Sequence, residues 1–186
     1  QKTAELLSQA ALEIFPDCEC SHVEVADGGE GTTDAVLSAV SGKKIFLSAH
    51  GPLGELTDGY YGALDDKRAV MEMAAVSGLP LVPASLRDPR KTSSLGTGEM
   101  IADALSRGFR DISIAIGGSA TNDGGMGCMR ALGVKFLDAD GHELIGCGAD
   151  LARVRRIDTS GLNPVDYTHL RAHETEAAPV CRRLLV

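Results

Sequence analysis

Apolar residues recur three and four positions apart at Leu6, Leu7, Ala10, Ala11 and Ile14. This predicts an amphipathic helix over residues 2–14, ended by Phe15-Pro16-Asp17. His22–Val25 is a short strand candidate and Ala26–Gly31 a turn. Thr32–Val40 reads as a second helix with Thr32 or Thr33 near its N-cap. The period then changes. Lys44–Ser48 and Thr57–Leu64 alternate, Arg68–Met73 runs apolar, and Gly51–Gly54 and Asp65-Asp66 turn between them. The stretch 44–73 is therefore a meander of short strands, more antiparallel than parallel.

Ser77–Pro83 breaks the pattern, and Arg87–Lys91 is a polar loop around Pro89. Thr92–Gly98 leads into a helix over Glu99–Ser106, closed by Gly108. Asp111–Ile116 (DISIAI) is the best candidate for a buried strand and runs straight into Gly117–Gly125. Met126–Leu132 is a further helix ended by Gly133, so residues 92–133 form one αβα unit. Asp138–Gly141 is a hairpin-like turn, and 149–162 is mixed. Strands and helices alternating in this way predict the α/β class.

The length of 186 residues suits one ordinary domain, or one and a half small ones. No apolar run approaches the roughly 20 residues of a membrane span. No signal-peptide pattern is visible at the start. The net charge of −8 argues against general nucleic-acid binding, which needs a basic face. Five cysteines without Cys-x-x-Cys pairing predict reduced cytoplasmic thiols, not a zinc site. His22, His50 and His142 lack metal-ligand spacing and are assigned nothing. The count that changes the picture is glycine, at 22 residues, against only seven aromatic residues. Glycines in that number point to many tight strand-to-helix turns.

Two of those turns share one design. ADGGEGT (26–32) and GGSATNDGG (117–125) each follow a predicted strand, contain Asp and open a helix. Glycine lets backbone approach a ligand closely. A helix N-terminus adds N–H donors and partial positive charge, which suit phosphate or carboxylate. Acidic residues in the same loops suit a cation or a proton, as phosphoryl transfer needs. Neither loop is a Walker A sequence or a spaced dinucleotide fingerprint. A tight connection without ligand, with Asp27 or Asp123 merely capping a helix, is the competing reading. Glu72, set in the apolar run VMEMAA, faces either water or a site. Arg87 and Lys91 are either solvated or able to bind a carboxylate.

The blocks VADGGEGTTDAV (25–36), GPLG (51–54), VMEMAAVSGLPLVP (70–83), RDPRKTSSLGTGE (87–99), IAIGGSATNDGGMGCMRALG (114–133) and IDTSGLNP (157–164) resemble, in order and spacing, the type I glycerate kinases. The resemblance covers residues 1–164. It implies a two-lobed cytoplasmic α/β enzyme that phosphorylates D-glycerate with ATP and Mg²⁺. One lobe is a Rossmann- or flavodoxin-like parallel sheet. The other is a smaller mixed or antiparallel lobe, to which the 44–73 meander belongs.

On this reading the backbone of Gly117, Gly118, Ala120, Gly124 and Gly125 cradles phosphate. Gly28, Gly29, Glu30, Gly31 and Thr32, with Thr97 and Gly98 opening the third helix, complete the phosphate- and substrate-binding set. Asp27 and Asp123 are the catalytic candidates, for Mg²⁺ or for the hydroxyl proton. Ser119, Thr121 and Asn122 hydrogen-bond phosphate or glycerate, and Arg87 holds the glycerate carboxylate. Asp123 is read as a surface-loop residue, so Asp123→Asn is expected to slow turnover about 10²-fold with little change in stability. A non-catalytic module binding a phosphorylated metabolite is the alternative function. A dinucleotide-dependent oxidoreductase is disfavoured because its fingerprint is missing.

The family pattern opens with a D-S-F-K-G loop ahead of position 1 and continues past Pro164 with further blocks. Residues 1–164 are therefore read as a partial unit, incomplete at both ends and inactive alone. YTHLRAHET (167–175) resembles a translated sequencing-library adapter, and VCRRLL (180–185) the segment after it. Residues 165–186 are accordingly expected to be non-native or disordered, with few contacts to the rest.

Overall fold

The computed structural model describes residues 2–21, 25–162 and the backbone of 170–172. The strand candidate at His22–Val25 falls largely outside these residues, and Val25 itself is exposed in no regular element. Helix α1 (Lys2–Ile14) forms where the apolar period predicts it. Its stripe lies open: Leu6, Leu7 and Ile14 are 58%, 68% and 72% exposed, and no residue of α1 is buried. Among the described residues, no helix is long and apolar enough to cross a membrane.

The centre is one mixed sheet of five strands. Strands β1 (Lys43–His50), β2 (Leu56–Ala63) and β3 (Arg68–Glu72) are antiparallel neighbours, as the alternation predicts. Strand β4 (Asp111–Ala115) then joins β3 in parallel, with Glu72 opposite Ala115. The meander and the buried strand thus share a sheet. The physical reason is the crossover. A chain leaving β3 passes through α3 (Ala74–Ser77) and α4 (Leu95–Ser106) and returns beside the strand it left, which parallel pairing requires.

Strand β7 (Leu170–Ala172) lies within the segment expected to stay apart from the rest, yet it pairs in parallel with β4. Leu170, Arg171 and Ala172 stand opposite Ile112, Ser113 and Ile114. An unpaired β4 edge is a row of free N–H and C=O groups, and an extended segment of almost any composition satisfies it. The remainder of residues 163–186 lies outside the described residues.

Helices cover both faces of the sheet. Residues three apart on a strand face opposite sides. Gly59 receives Val76 of α3, while Gly62 receives Leu37 of α2 (Thr32–Ala39). On the α4 side Met100, Ile101, Ala104 and Leu105 pack with Tyr61, Met71, Phe109 and Ile112 into the main core. Tyr61 and Phe109 meet edge to face, with ring centroids 6.1 Å apart. The Tyr61 hydroxyl donates to Asp103 Oδ2 at 2.8 Å. Burial first, and this partner second, raise its pKa above the ordinary tyrosine value.

A second cluster, Met126, Val134, Phe136 and Leu144, joins α5 (Met126–Ala131) to a small antiparallel sheet of β5 (Lys135–Leu137) and β6 (Arg156–Asp158). The expected turn between Asp138 and Gly141 is closed by the Gly141 N–H donating to Asp138 O at 3.2 Å.

Helix α4 begins at Leu95, four residues before the predicted start, and takes Gly96, Thr97 and Gly98 into its first turn. Two glycines in four residues disfavour a helix by propensity. Tertiary contact overrides this. A Cβ on Gly96 would stand 1.9 Å from His50 O, and one on Gly98 would stand 2.2 Å from Cys128 O and 2.7 Å from Ala131 Cβ. These glycines allow β1 and α5 to approach α4, so Gly98 serves packing. Thr97 is equally inward, 4% exposed, with its Oγ1 donating to Ser77 Oγ at 2.8 Å. Gly98→Ala is therefore expected to lower stability by about 2 kcal/mol, as overpacking does. Thermal unfolding reads this directly, and an unchanged midpoint would contradict the packing role.

Candidate active site

The parallel pair β3–β4 ends at Glu72 and Ala115, and the chain leaves β4 directly into the loop 117–125. The carboxyl end of parallel strands is where open α/β sheets bind ligands. The first glycine loop comes to the same edge. The Gly117 N–H donates to Gly28 O at 2.7 Å. A Cβ on Gly117 would lie 2.8 Å from that carbonyl, so the two loops meet backbone to backbone only because residue 117 is glycine. The fold thus unites Asp27, Gly28, Gly29, Glu30 and Gly31 with Gly117 and Gly118.

The junction holds open donors. Among the described residues, the N–H groups of Gly28, Glu30, Gly118 and Ser119 have no acceptor within the chain. Glu30 and Gly118 are exposed. Asp27 is exposed beside them, and its one bond is Oδ1 accepting the Gly29 N–H at 2.9 Å. The second loop is pinned from behind. Leu79 N–H donates to Gly118 O at 2.9 Å, Ala120 N–H to Ser77 O at 2.9 Å, and Thr92 Oγ1 to Ala120 O at 2.9 Å. Ser119 Oγ bonds Thr121 Oγ1 at 2.9 Å and accepts the Thr121 N–H at 3.0 Å.

Ser119, Thr121 and Asn122 line a cleft of about 250 Å³ together with Arg87, Asp88 and Thr92. Arg87 Nε donates to Val82 O at 3.3 Å. The Arg90 guanidinium holds the Asp88 carboxyl down at about 2, so Asp88 is anionic at neutral pH. Against the first loop lies a cleft of about 310 Å³ lined by Glu30, Asp34, Asp58, Tyr60 and Glu72. Four carboxyl groups make that cleft repel phosphate. Of the two clefts, the one with Arg87 therefore suits an anionic substrate.

The remaining candidates are placed differently. Asp123 is no surface-loop residue: it is 2% exposed and points inward. Its Oδ2 accepts Ser94 N–H at 2.7 Å, Ser94 Oγ–H at 2.8 Å and Gly127 N–H at 3.1 Å. Its Oδ1 accepts Gly125 N–H at 3.0 Å. One carboxylate thus ties the starts of α4 and α5 together, which is the capping role the sequence left open. Its charge and, above all, burial push the Cys128 thiol up to about 12. Gly124 and Gly125, at φ 62° and 76°, set the entry to α5. Thr32 Oγ1 donates to Gly29 O at 2.7 Å at the start of α2.

Glu72 does not face water, and it stands in the wall of the acidic cleft. It is 3% exposed, and its two oxygens accept the N–H groups of Gly31 at 3.1 Å and Thr33 at 2.9 Å. The signal for it was present in the sequence, as a lone carboxylate in an apolar run. Ser94 and Thr92 carried no such signal, because a serine or threonine in a polar loop looks alike whether it faces in or out. His50, assigned nothing, bonds Glu99 through Nδ1 at 2.7 Å. Asp138, Asp140 and His142 come close enough for a metal ion, but they sit in an exposed turn. There Asp138 Oδ1 already accepts the Asp140 and His142 N–H groups.

A family model described as the glycerate kinase family matches residues 1–176, running past Pro164 into the segment read above as foreign. Glycerate 2-kinase of Escherichia coli (strain K12) is 49% identical over 164 residues, 88% of this chain and 43% of that protein. Glycerate kinase of Bacillus subtilis (strain 168) is 44% identical over 163 residues, 87% of this chain and 43% of that protein. A crystal structure of glycerate kinase 2 from Salmonella typhimurium LT2 superposes with a TM-score of 0.76 at 43% identity. It matches 91% of this chain and 46% of its own. The chain spans about half the length of the relatives it matches. By the extent of the family match, and by these identities over most of its length, the chain belongs to the glycerate kinase family.

Proposed function

We propose that the protein phosphorylates D-glycerate with ATP, using the junction of the two glycine loops to hold phosphate. One observation carries this reading: four amides without an internal acceptor, on Gly28, Glu30, Gly118 and Ser119, lie in the two loops that meet beside the exposed carboxylate of Asp27. Phosphoryl transfer asks a protein mainly for positioning and for charge stabilisation, and a nest of backbone N–H groups supplies both. Asp27 fits a Mg²⁺ ligand or an acceptor of the hydroxyl proton, because it has one free oxygen and solvent access. Asp123 fits neither, because four donors already saturate it. When bound, Mg²⁺ would neutralise the charge of the phosphate groups.

Arg87 binds the glycerate carboxylate, and Ser119, Thr121 and Asn122 orient its hydroxyl groups within the 250 Å³ cleft. The name of the E. coli relative, glycerate 2-kinase, favours the hydroxyl on carbon 2 as acceptor. An ATP-consuming reaction on a small free acid also fits a cytoplasmic protein.

The test compares glycerate with glycerol, which keeps the hydroxyl groups and lacks the carboxylate. Glycerate should be phosphorylated and glycerol should not. Arg87→Ala should raise the KM for glycerate about tenfold, the loss of one charge-assisted contact. Equal phosphorylation of both compounds would remove Arg87 and the carboxylate from the account.

A further inference from the structure

We infer that Glu72 is a positioning residue: its carboxylate closes the N-terminus of α2 to anions and thereby assigns phosphate to the junction amides of Gly28, Glu30, Gly118 and Ser119. The inference rests on the phosphoryl-transfer reading above. A helix N-terminus following a glycine loop is a ready-made anion site, through its free N–H groups and partial positive charge. In this fold its first three N–H groups are already taken. The Gly31 and Thr33 N–H groups end on Glu72, a residue 41 and 39 positions away in the chain, and the Thr32 N–H ends on Gly29 O. A phosphate arriving there would meet a buried carboxylate and the acidic lining of the adjacent cleft.

The same side chain sets where the loop lies. Glu72 is the last residue of β3, opposite the last residue of β4, from which Gly117 follows almost at once. The first loop is therefore attached to the sheet edge twice. Glu72 holds it at Gly31 and Thr33, and Gly117 holds it at Gly28 O. Between these attachments the amides of Gly28 and Glu30 remain unbonded next to Gly118. Without the first attachment, the segment 28–31 would lose its register against 117–119.

Inorganic pyrophosphate, titrated into the ¹⁵N-labelled protein, tests this. The resonances of Gly28, Glu30, Gly118 and Ser119 should shift, and those of Gly31 and Thr33 should not. In Glu72→Gln, one N–H loses its acceptor, and pyrophosphate should bind about tenfold more weakly. With ATP as substrate the same variant should raise the KM for ATP about tenfold and leave the KM for glycerate unchanged, a split that general loss of structure would not produce. Shifts at Gly31 and Thr33 in the unmodified protein would overturn the inference, and that result does not depend on any variant folding. So would a Glu72→Gln protein that binds pyrophosphate as tightly as the unmodified one. Phosphoryl transfer measured on the natural polypeptide, titrated with pyrophosphate in the same way, separates the two readings. Transfer with shifts at Gly31 and Thr33 overturns the inference and leaves the reaction. No transfer, with shifts confined to the junction, overturns the reaction and leaves the inference.

Discussion

Asp123→Ala should lower the unfolding free energy by about 3–5 kcal/mol, the cost of removing one partner from a buried charged network. The substitution leaves three backbone N–H groups and the Ser94 hydroxyl without their acceptor, in a site 2% exposed. Each buried donor left unsatisfied costs about 1–3 kcal/mol, and only the hydroxyl can rotate toward another partner. Two helix starts loosen together, because Ser94 precedes α4 and Gly125 precedes α5. Asp123→Asn keeps the shape but turns an NH₂ group toward backbone donors, so it should cost about 2 kcal/mol. Urea denaturation measures both, read as a midpoint shift at constant slope. A loss below about 0.5 kcal/mol, with turnover reduced about 10²-fold, would restore the catalytic role expected from the loop sequence.

Asp27→Ala should do the reverse. Its side chain is exposed, and its one bond closes a local turn onto Gly29. Stability should fall by less than about 1 kcal/mol. Turnover of glycerate should fall about 10²-fold or more, the usual contribution of a group that handles a proton or a metal in phosphoryl transfer. Steady-state kinetics on the natural polypeptide, beside the urea midpoint, separate the two effects. Near-normal turnover would remove Asp27 from the chemistry and reduce it to a turn residue. The two aspartates look alike in the sequence, each placed before a glycine pair that opens a helix. The structure divides them by burial.

That division shows where sequence reasoning stops. Alternation made β1 and β2 legible, and β3 showed as an apolar run because Ala69, Val70, Met71 and Glu72 are all buried. The run DISIAI identified β4 because a strand covered on both faces reads as nearly continuous apolar residues. The start of α4 was hidden. Gly96 and Gly98 are poor helix formers, and the contacts that require them come from His50 and Cys128, distant in the chain. The joining of the meander to β4 was hidden too, since pairing depends on where the crossover lands and not on the pattern within either strand.

Within the site, the two glycine loops were legible as turns of one design, and the fold brings them into contact. Which amides stay open was not legible. It depends on Glu72 and Asp123 filling the helix N-termini from inside, and a carboxylate's direction is a tertiary fact. Thr97 and Gly98 looked like a loop motif and proved to be buried helix. Pairing of Leu170–Ala172 with β4 could not be read from composition, because ladder bonds depend on backbone alone.

The central claim is that the open amides at the loop junction and Asp27 serve phosphoryl transfer to glycerate. Its most direct test follows label from γ-³²P-ATP in the presence of D-glycerate and Mg²⁺, using the natural polypeptide, with products separated and the ester position read by ³¹P NMR. The account predicts label in phosphoglycerate, dependent on both substrates and strongly reduced in Asp27→Ala. Label recovered only as inorganic phosphate, or ATP bound with none transferred, would contradict it.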